Sequence, residues 1–354
     1  MWRSLQSLGR QHEQHRRAMA RWQEIRAALP ERIDPAAGGL TICSVAYRAK
    51  ACLDQNDALT RRLNPDSERP RWLLFDNNVE THEVIDSTDP RFTVIRPQGR
   101  DVDMGYEHAL GISELLARVD TRFVLIQDPD CFIVMPDWIR RVPRYMDERQ
   151  LGFFGTPINP RRHNSYRYFP YMVCMFIDLA RVSPRDLCFL PEVWRLPGSV
   201  TYRLRRALTR IPKAGYLFRG LLTEQWKTNG WRIKEAFGLG ERVKFECAQP
   251  VWDVNDTIPP GSLKRLIHDV TPAAWSPVPK QPGYCSPIGF AQTGGPDVAA
   301  LGWEEFMWRG RPFAFHIGSV HGQPGRYERQ LEGVMATLGV RAAHIPLETV
   351  PSVH

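Results

Sequence analysis

The feature that most constrains this chain is the stretch from Phe123 to Asp130, where apolar residues run directly into Asp-Pro-Asp. A short apolar run bounded by polar residues is typical of a strand buried on both faces. Pro129 cannot donate a hydrogen bond to a sheet, so the strand should end there. Asp128 and Asp130 then lie at the carboxyl end of a strand, where open α/β sheets bind ligands. They either bind a hard divalent cation or only cap a turn.

The composition is ordinary for a soluble globular protein, with 43% hydrophobic and 24% charged residues. A chain of 354 residues suits one large domain with appendages or two small domains. No apolar run approaches the roughly 20 residues that span a bilayer, and the N-terminus shows no apolar signal-peptide core. The seven cysteines are scattered without a Cys-x-x-Cys pair, which predicts reduced thiols and a cytoplasmic location.

The net charge of +8 favours anionic partners such as phosphorylated ligands, anionic lipid or nucleic acid. The Lys and Arg residues are spread along the whole chain, and no basic run exceeds three residues. We therefore expect no dedicated nucleic-acid binding. Contact with a nucleotide or with an anionic membrane surface fits this charge distribution better.

Residues 1–30 carry the pattern of an amphipathic helix. Apolar residues recur at steps of three and four between Leu5 and Leu29, arginines occupy the other face, and Pro30 ends the helix. Such a helix packs on its own domain or on a second copy of the chain. Its arginine face and Trp2 also fit an interfacial membrane helix, with the protein peripheral at the inner face of the membrane.

Buried strands alternate with helical segments over the first half of the chain, which predicts a doubly wound, mostly parallel α/β sheet. The predicted strands are residues 40–47, 71–76, 92–96, 123–128, 152–155 and 171–177. The predicted helices between them are residues 49–63, 105–118 and 138–146. A last strand at 312–318 and a closing helix at 327–338 follow.

Residues 250–296 hold nine prolines and should be mostly irregular. A loop of this length in a compact domain is usually functional or disordered. Trp252, Trp275 and Tyr284 interrupt the segment, so we expect an ordered C-terminal loop region packed over a site.

Three polar clusters follow predicted parallel strands: Tyr47-Arg48, Asp76-Asn77-Asn78 and Asp128-Pro129-Asp130. His316 follows the late strand. Strand ends at one edge of a parallel sheet converge in space. We therefore expect all four to contribute to one site.

These clusters resemble the sugar-nucleotide-binding half of GT-A-fold glycosyltransferases, specifically glycosyltransferase family 2. The first strand with Tyr47-Arg48 looks like the opening strand and aromatic-polar turn of that family. Phe75 to Asn78 looks like its Asp-Asn-Gly-Ser element, and Gln127 to Asp130 looks like its Asp-x-Asp motif. The order and spacing match over residues 38–180. One departure is the family's Ala-x-Asn-x-Gly pattern, since Tyr106 to Gly111 contains no Asn.

The resemblance implies a GT-A (Rossmann-like) fold and a donor site in the first half of the chain. The implied nucleotide- and donor-binding residues are Tyr47, Arg48, Asp76, Asn77, His108 and Asp128. Asp76 would accept a hydrogen bond from the base of a uridine-type donor, and Asp128 would contact the ribose or the sugar. Asp130 would bind Mg²⁺ or Mn²⁺, and that ion would hold the diphosphate of the donor.

Many GT-A enzymes have a late histidine near the metal or the diphosphate, and His316 takes that place here, with His321 as the alternative. Neutral imidazole suits Mn²⁺. A single His beside an apolar strand is otherwise structural. Arg161, Arg162 and Arg167 either contact phosphate or acceptor or belong to a solvated loop.

An inverting enzyme of this family needs a carboxylate base to deprotonate the acceptor hydroxyl. The family places that base at the head of a helix well after the Asp-x-Asp motif. Glu224, within Thr223 to Trp226, fits this position, although the family shows two acids there and this chain only one. Asp178 and Glu192 are the reserves for the role. Glu224 is otherwise a surface residue of a helix.

The resemblance thus implies a metal-dependent glycosyltransferase of the hexosyltransferase type. Residues 38–180 would form its donor half, 181–340 its acceptor and catalytic half, and 341–354 a peripheral tail. The acceptor would be a glycan, a lipid-linked molecule or another hydroxyl compound. A GT-A domain that binds a glycan or nucleotide without turnover remains an alternative. A sugar-phosphate nucleotidyltransferase fits less well, because Ser44 to Arg48 contains no glycine for a phosphate-binding turn.

Overall fold

The chain forms a large and a small β-sheet, with helices on both faces of the large one. The computed structural model describes residues 2–67, 69–78, 85–97, 102–160, 167–192, 228–272, 276, 279–318 and 326–340. Within these ranges, only the backbone is described for residues 2–9, 256–257 and 326.

Strands and helices alternate through the first half of the chain. The strands are β1 Leu40–Ala46, β2 Arg71–Asp76, β3 Phe92–Ile95, β4 Phe123–Gln127, β5 Cys131–Ile133, β6 Leu151–Gly155, β7 Cys174–Asp178, β8 Lys244–Cys247, β9 Gln249–Pro250, β10 Glu304–Trp308 and β11 Arg311–His316. The helices are α1 Trp2–Ala28, α2 Lys50–Leu63, α3 Met104–Leu116, α4 Trp138–Arg149, α5 Trp231–Phe237, α6 Val254–Thr257, α7 Leu263–Val270 and α8 Arg326–Thr337. Elements with a clear periodic pattern match their predicted positions within a few residues.

The large sheet has the strand order β3-β2-β1-β4-β7-β6-β8. Strands β3, β2, β1 and β4 are parallel neighbours, and β6 pairs in parallel with β8. Strand β7 runs antiparallel to both β4 and β6. The sheet is therefore mostly parallel, and the predicted doubly wound α/β sheet is confirmed.

Each face of the large sheet buries its own apolar core, because successive residues of a strand point to opposite faces. On one face, α1 and α3 cover Cys43 and Leu73. On the other face, α4 and part of the small sheet cover Ile42 and Leu74. A third core joins the other side of the small sheet to α2 and α8.

Helix α1 packs against α3 through its apolar side. Ala18 and Trp22 are buried there. Arg21 donates a hydrogen bond of 2.8 Å to Glu107 of α3, whose side chain is fully buried. A buried carboxylate needs such a partner, since an unpaired charge in the interior is strongly destabilising. None of the helices in the described ranges has the length and apolar character needed to cross a membrane.

The small sheet is antiparallel, with the order β5-β11-β10-β9. Strand β5 begins at Cys131, directly after Asp130, and leaves the large sheet to pair with β11. The expectation that the strand before His316 ends at the edge of the parallel sheet was therefore wrong. His316 approaches Asp130 from the small sheet instead, because its pairing partner in β5 is Cys131.

The Pro-rich region contains little regular structure in its described part. Strand β9, the single turn α6 and the short helix α7 interrupt it. Trp252 and Tyr284 are buried, at 6% and 8% exposure. The Tyr284 ring packs against Tyr168, with 4.6 Å between the ring centres, and so ties the region to the body of the protein. Trp252 packs with Ile258 inside the region, as expected for an ordered loop. Trp275 lies outside the described residues.

Candidate metal site and its surroundings

The Asp-Pro-Asp turn after β4 is held by buried amide side chains. The Asn56 amide donates to the carbonyl oxygens of Pro129 and Cys131, at 2.7 and 3.0 Å. Gln127, the last residue of β4, donates to the same Cys131 carbonyl at 2.7 Å. Ser44 of the neighbouring strand β1 donates to the Gln127 carbonyl at 2.7 Å. These bonds satisfy the buried backbone of the turn and fix the direction of the residues in it.

Asp128, Asp130 and His316 form one cluster at the carboxyl edge of β4. Each offers a ligand atom, and these atoms lie within 4.8 Å of one another. His316 Nε2 and Asp130 Oδ1 are 3.3 Å apart. The other Asp130 oxygen accepts a hydrogen bond of 3.1 Å from the backbone N–H of Gly318. Two carboxylates and an imidazole at this spacing fit a divalent ion of the Mg²⁺ or Mn²⁺ class.

Glu304 orients the imidazole of His316 from the opposite side. Its Oε2 lies 2.8 Å from His316 Nδ1, and the two residues face each other across strands β10 and β11. A carboxylate on one ring nitrogen fixes the tautomer of a histidine and leaves the other nitrogen for a metal. The sequence prediction missed Glu304. Counting back across the Arg309-Gly310 turn would have found it, had β10 been recognised as a strand.

The charges of His316, Asp130 and Glu304 stabilise one another. Burial disfavours the charged form of His316, but Asp130 and Glu304 outweigh burial and raise the pKa of His316 to about 10. Burial likewise disfavours ionised Asp130, yet the neighbouring imidazolium lowers the pKa of that carboxyl. Metal and proton compete for His316 Nε2, so metal binding there releases a proton.

His108 lies beside the cluster on helix α3. Its Nε2 is 3.8 Å from Asp128 Oδ1, and each side chain is 25% exposed. Partial burial lowers the pKa of His108 to about 4, although the charge of Asp130 acts in the opposite direction. The imidazole is therefore neutral near pH 7. It can donate a hydrogen bond without adding charge to the site.

Tyr47 and Arg48 follow β1 at the same edge of the large sheet. The Arg48 guanidinium lies 5.4 Å from the centre of the Tyr47 ring, within range of a cation–π contact. Arg48 has a φ of 50°, in the left-handed region. Its backbone N–H donates to the Asn78 side chain at 2.8 Å, which holds the turns after β1 and β2 together.

Asp76 ends β2 and is almost fully buried, at 2% exposure. One of its oxygens accepts bonds from the backbone and side chain of Asn78, at 3.1 and 2.7 Å. The other accepts from the backbone N–H of Ile85 at 3.2 Å. Asn77 is equally buried, and its backbone N–H bonds to Ala46 of β1. Asp76 therefore holds Asn78 and Ile85 together beside the end of β2.

The strand registers place these groups at one level of the sheet. Ala46 of β1 pairs with Asp76 of β2, and Cys43 of β1 pairs with Ile126 of β4. Three residues after this pair, the chain reaches Ala46 in β1 and Pro129 after β4. Ala46 is therefore level with the Asp-Pro-Asp turn. Asp76 is thus two inter-strand spacings, about 10 Å, from that turn.

Several sequence candidates lie outside the described residues, namely Glu224, His321, Arg161 and Arg162. Arg167 is described, and it donates to the backbone carbonyl of Ser276 at 3.0 Å. Glu192 forms an ion pair of 3.7 Å with Arg232.

The assignment of Asp178 as a reserve base is wrong. Asp178 pairs with Phe123 at the start of β4, so it lies at the amino edge of the sheet, opposite the metal cluster. The side chain is fully buried and bonds to Arg122 and Arg181. It therefore cannot reach a reaction at the carboxyl edge.

No family model matches the chain, and no curated protein matches it. Solved structures overlap parts of it. S. aureus TarS 1–349 in complex with UDP-GlcNAc is 12% identical with a TM-score of 0.31, over 44% of this chain and 50% of that chain, about half its length. The mannosyltransferase PcManGT from Pyrobaculum calidifontis, in complex with GDP-Man and Mn²⁺, is 10% identical with a TM-score of 0.30, over 68% and 82%. Likenesses this low carry no argument about function.

Proposed function

We propose that this chain is a glycosyltransferase that uses a nucleoside-diphosphate-sugar donor and a divalent ion held at Asp128, Asp130 and His316. The observation that carries the proposal is the convergence of these three side chains within 4.8 Å at the carboxyl edge of β4. Open α/β sheets bind their ligands at that edge. Mg²⁺ is commonly held by one or two carboxylates together with substrate phosphates, so a diphosphate is the expected partner of such a site.

The three residues of the metal cluster have different proposed binding roles. Asp130 and His316 are buried, at 9% and 4% exposure, and are oriented by Gly318 and Glu304. They are the proposed protein ligands of the ion. Asp128 is more exposed and either completes the ligand set or contacts the ribose or sugar. When bound, the ion offsets the negative charge that develops on the leaving nucleoside diphosphate.

The nucleotide would extend from the metal cluster across the ends of β1 and β2. Tyr47 and Arg48 offer a ring and a guanidinium to the base and ribose. Asp76 and Asn77 lie about 10 Å from the cluster, as the registers and the inter-strand spacing indicate. Asp76 Oδ1 already accepts two hydrogen bonds from Asn78, and Oδ2 accepts one from Ile85. Oδ2 can accept a further one from a uridine-type base.

His108 would contact the donor beside the metal ion. Its low pKa of about 4 keeps the ring neutral at the pH where a glycosyltransferase works. A neutral ring can donate to a sugar hydroxyl or a phosphate oxygen. We propose this role in place of the Asn that the family pattern carries on the same helix.

We propose Glu224 as the general base for inversion. Its carboxylate would take the proton of the acceptor hydroxyl as the acceptor oxygen attacks the anomeric carbon. The bond between that carbon and the nucleoside diphosphate breaks on the opposite side, and its electron pair leaves with the diphosphate. Glu224→Gln is expected to lower turnover about 100-fold or more while donor affinity stays nearly unchanged.

The acceptor and the location complete the proposal. A glycan, a lipid-linked molecule or another hydroxyl compound would serve as acceptor. The protein would work in the cytoplasm, where the arginine side of α1 offers a contact for an anionic membrane or for a second copy of the chain.

The test is donor turnover by the purified chain with a panel of UDP- and GDP-sugars, each with Mn²⁺, Mg²⁺ or EDTA. We expect metal-dependent release of nucleoside diphosphate, and loss of that release in Asp130→Ala. Asp120→Ala is the matched control, since its side chain is 75% exposed and pairs with Arg71 at the amino edge. Donor binding that is unaffected by metal and by Asp130→Ala would contradict the metal assignment. Tight nucleotide binding without turnover would favour the non-catalytic alternative.

A further inference from the structure

A cavity that is separate from the metal cluster lies beside strand β10. Its volume is about 240 Å³. Its walls come from the segment after β6, the segment after β9 and the residues that precede and begin β10. Trp252 and Trp303 both line it, and we call it the indole cavity.

Strand β10 separates the indole cavity from the metal cluster. Successive side chains of a strand point to opposite faces. Glu304 contacts His316 at 2.8 Å on one face, whereas Glu305 lines the indole cavity on the other. The two sites are therefore distinct, but the backbone of a single strand joins them.

The polar wall of the indole cavity is fixed by hydrogen bonds. Glu305 is 3% exposed, and its Oε2 accepts a bond of 3.2 Å from the backbone N–H of Phe290. Gly289 gives this carboxylate room, because a Cβ there would lie 2.3 Å from Glu305 Oε2. Gln292 accepts a bond of 2.9 Å from the Gly289 N–H. The wall is thus ordered before any ligand enters.

The lining combines flat apolar rings with polar groups of both kinds. The amides of Asn159 and Gln292 can donate and accept. The carboxylates of Asp253, Asp297 and Glu305 accept. A sugar ring matches this combination, because it has an apolar C–H face and a rim of hydroxyls that both donate and accept. Among the described residues that line the cavity, none is Lys or Arg, so an anionic ligand would find no countercharge.

The charge of the ligand and the volume of the cavity narrow the ligand class further. A quaternary ammonium ion could use the indole rings and the carboxylates, but it cannot form hydrogen bonds with the amides of Asn159 and Gln292. A neutral sugar ring can use the indole rings, the amides and the carboxylates together. The volume is below the roughly 300–1,000 Å³ of sites for drug-sized molecules, which suits a single ring and not a whole oligosaccharide.

We infer that the indole cavity binds one neutral sugar ring of a glycan, and that this glycan is the acceptor. The binding of a saccharide stands on the cavity alone, whereas its role as acceptor rests on the proposed function. Of the three proposed acceptor classes, namely a glycan, a lipid-linked molecule or another hydroxyl compound, the inference selects the glycan. One ring of that glycan is held behind β10 while another part of it extends toward the metal cluster.

The test is binding of the full chain to an array of neutral oligosaccharides, followed by calorimetric titration of the best binder without metal or nucleotide. We expect binding by the wild type, and at least a tenfold loss of affinity in Gln292→Ala and in Asp253→Ala, because each substitution removes hydrogen bonds to the sugar. Both positions are exposed, so the fold should tolerate these changes. Gln281→Ala, at an exposed glutamine outside the cavity, should bind like the wild type.

The inference fails if no neutral glycan binds, or if the cavity variants bind as well as Gln281→Ala. It also fails if tetramethylammonium binds and the glycans do not. Mn²⁺-dependent binding of UDP or GDP, measured on the same samples, tests the proposed function separately. Glycan binding without metal-dependent nucleotide binding would leave the saccharide site standing and remove its role as an acceptor site. The reverse result would remove the cavity assignment and keep the glycosyltransferase.

Discussion

Two buried aspartates at opposite edges of the large sheet differ in the partners that neutralise them. Asp130 follows β4 at the carboxyl edge, and its charged partner is His316. Asp178 ends β7 at the amino edge, and its charged partners are Arg122 and Arg181. Both carboxylates are buried at the end of an apolar strand. Only at Asp130 can the positive charge of the partner be replaced by that of a metal ion.

The chemistry of the partner decides the role. Arginine stays protonated in proteins and holds a carboxylate with two parallel bonds, as Arg122 does with Asp178 at 2.8 and 3.1 Å. The His316 ring can give up its Nε2 proton to a metal ion. The Asp178 group is therefore a closed structural ion pair, and the Asp130 group is open to a divalent cation.

The largest expected effect is on stability, at the closed pair. Asp178→Asn should lower the free energy of unfolding by about 3–5 kcal/mol, because it removes the charge of a fully buried carboxylate. Arg122 and Arg181 then keep only the half-exposed Asp147 as an acidic partner. Urea denaturation measures this change. Mn²⁺ affinity should stay that of the wild type. A stability loss below about 1 kcal/mol, the range of exposed ion pairs, would show that the pair is not structural.

The next effect is on metal binding, at the open group. Asp130→Ala should weaken Mn²⁺-dependent nucleotide binding at least about 100-fold, which is more than the loss of a residue that only orients a metal ligand. Titration calorimetry with and without Mn²⁺ measures the change. The unfolding free energy should fall less than in Asp178→Asn. Equal nucleotide affinity in wild type and variant would remove Asp130 from the metal site.

A smaller effect is expected from Glu304, which orients His316 from behind. Glu304→Gln should weaken Mn²⁺ binding by about tenfold, the lower end for groups that orient a metal ligand. Glu305→Gln is the matched control, because the neighbouring acid lines the indole cavity on the other face of β10. Equal losses in the two variants, measured by the same titration, would contradict the orienting role.

The smallest effect is expected at Arg181, which is 30% exposed. Arg181→Ala should lower the free energy of unfolding by roughly 0.5–1 kcal/mol, since solvent screens the pair and Arg122 still neutralises Asp178. Urea denaturation measures this as well. A loss as large as that of Asp178→Asn would mean that the two arginines act as one unit.

The error over Asp178 shows which information the sequence lacks. Both Asp130 and Asp178 appear in the sequence as carboxylates at the end of a short apolar run. Apolar periodicity predicts a strand but says nothing about its direction in the sheet. Strand β7 runs antiparallel to β4, and that direction places Asp178 at the far edge.

The sequence also did not show that His316 reaches Asp130 from a second sheet, for a related reason. Strands β5, β9 and β10 are short or carry polar residues. Their hydrophobic patterns therefore did not predict the small sheet. The contact of Glu304 with His316 depends on the register of β10 and β11. Register is a property of the paired strands and not of either segment alone.

The sequence by itself determined the parallel strands that carry Tyr47, Asp76 and Asp128 to one edge, because each strand is a local apolar run followed by polar residues. It also indicated His316 by its place after an apolar strand. Only the tertiary structure decided that Asp130 meets His316 within 3.3 Å, that Glu304 orients the ring, and that an indole cavity lies behind β10. Those contacts join segments far apart in the chain, and their geometry is set by strand direction and register, which no local pattern encodes.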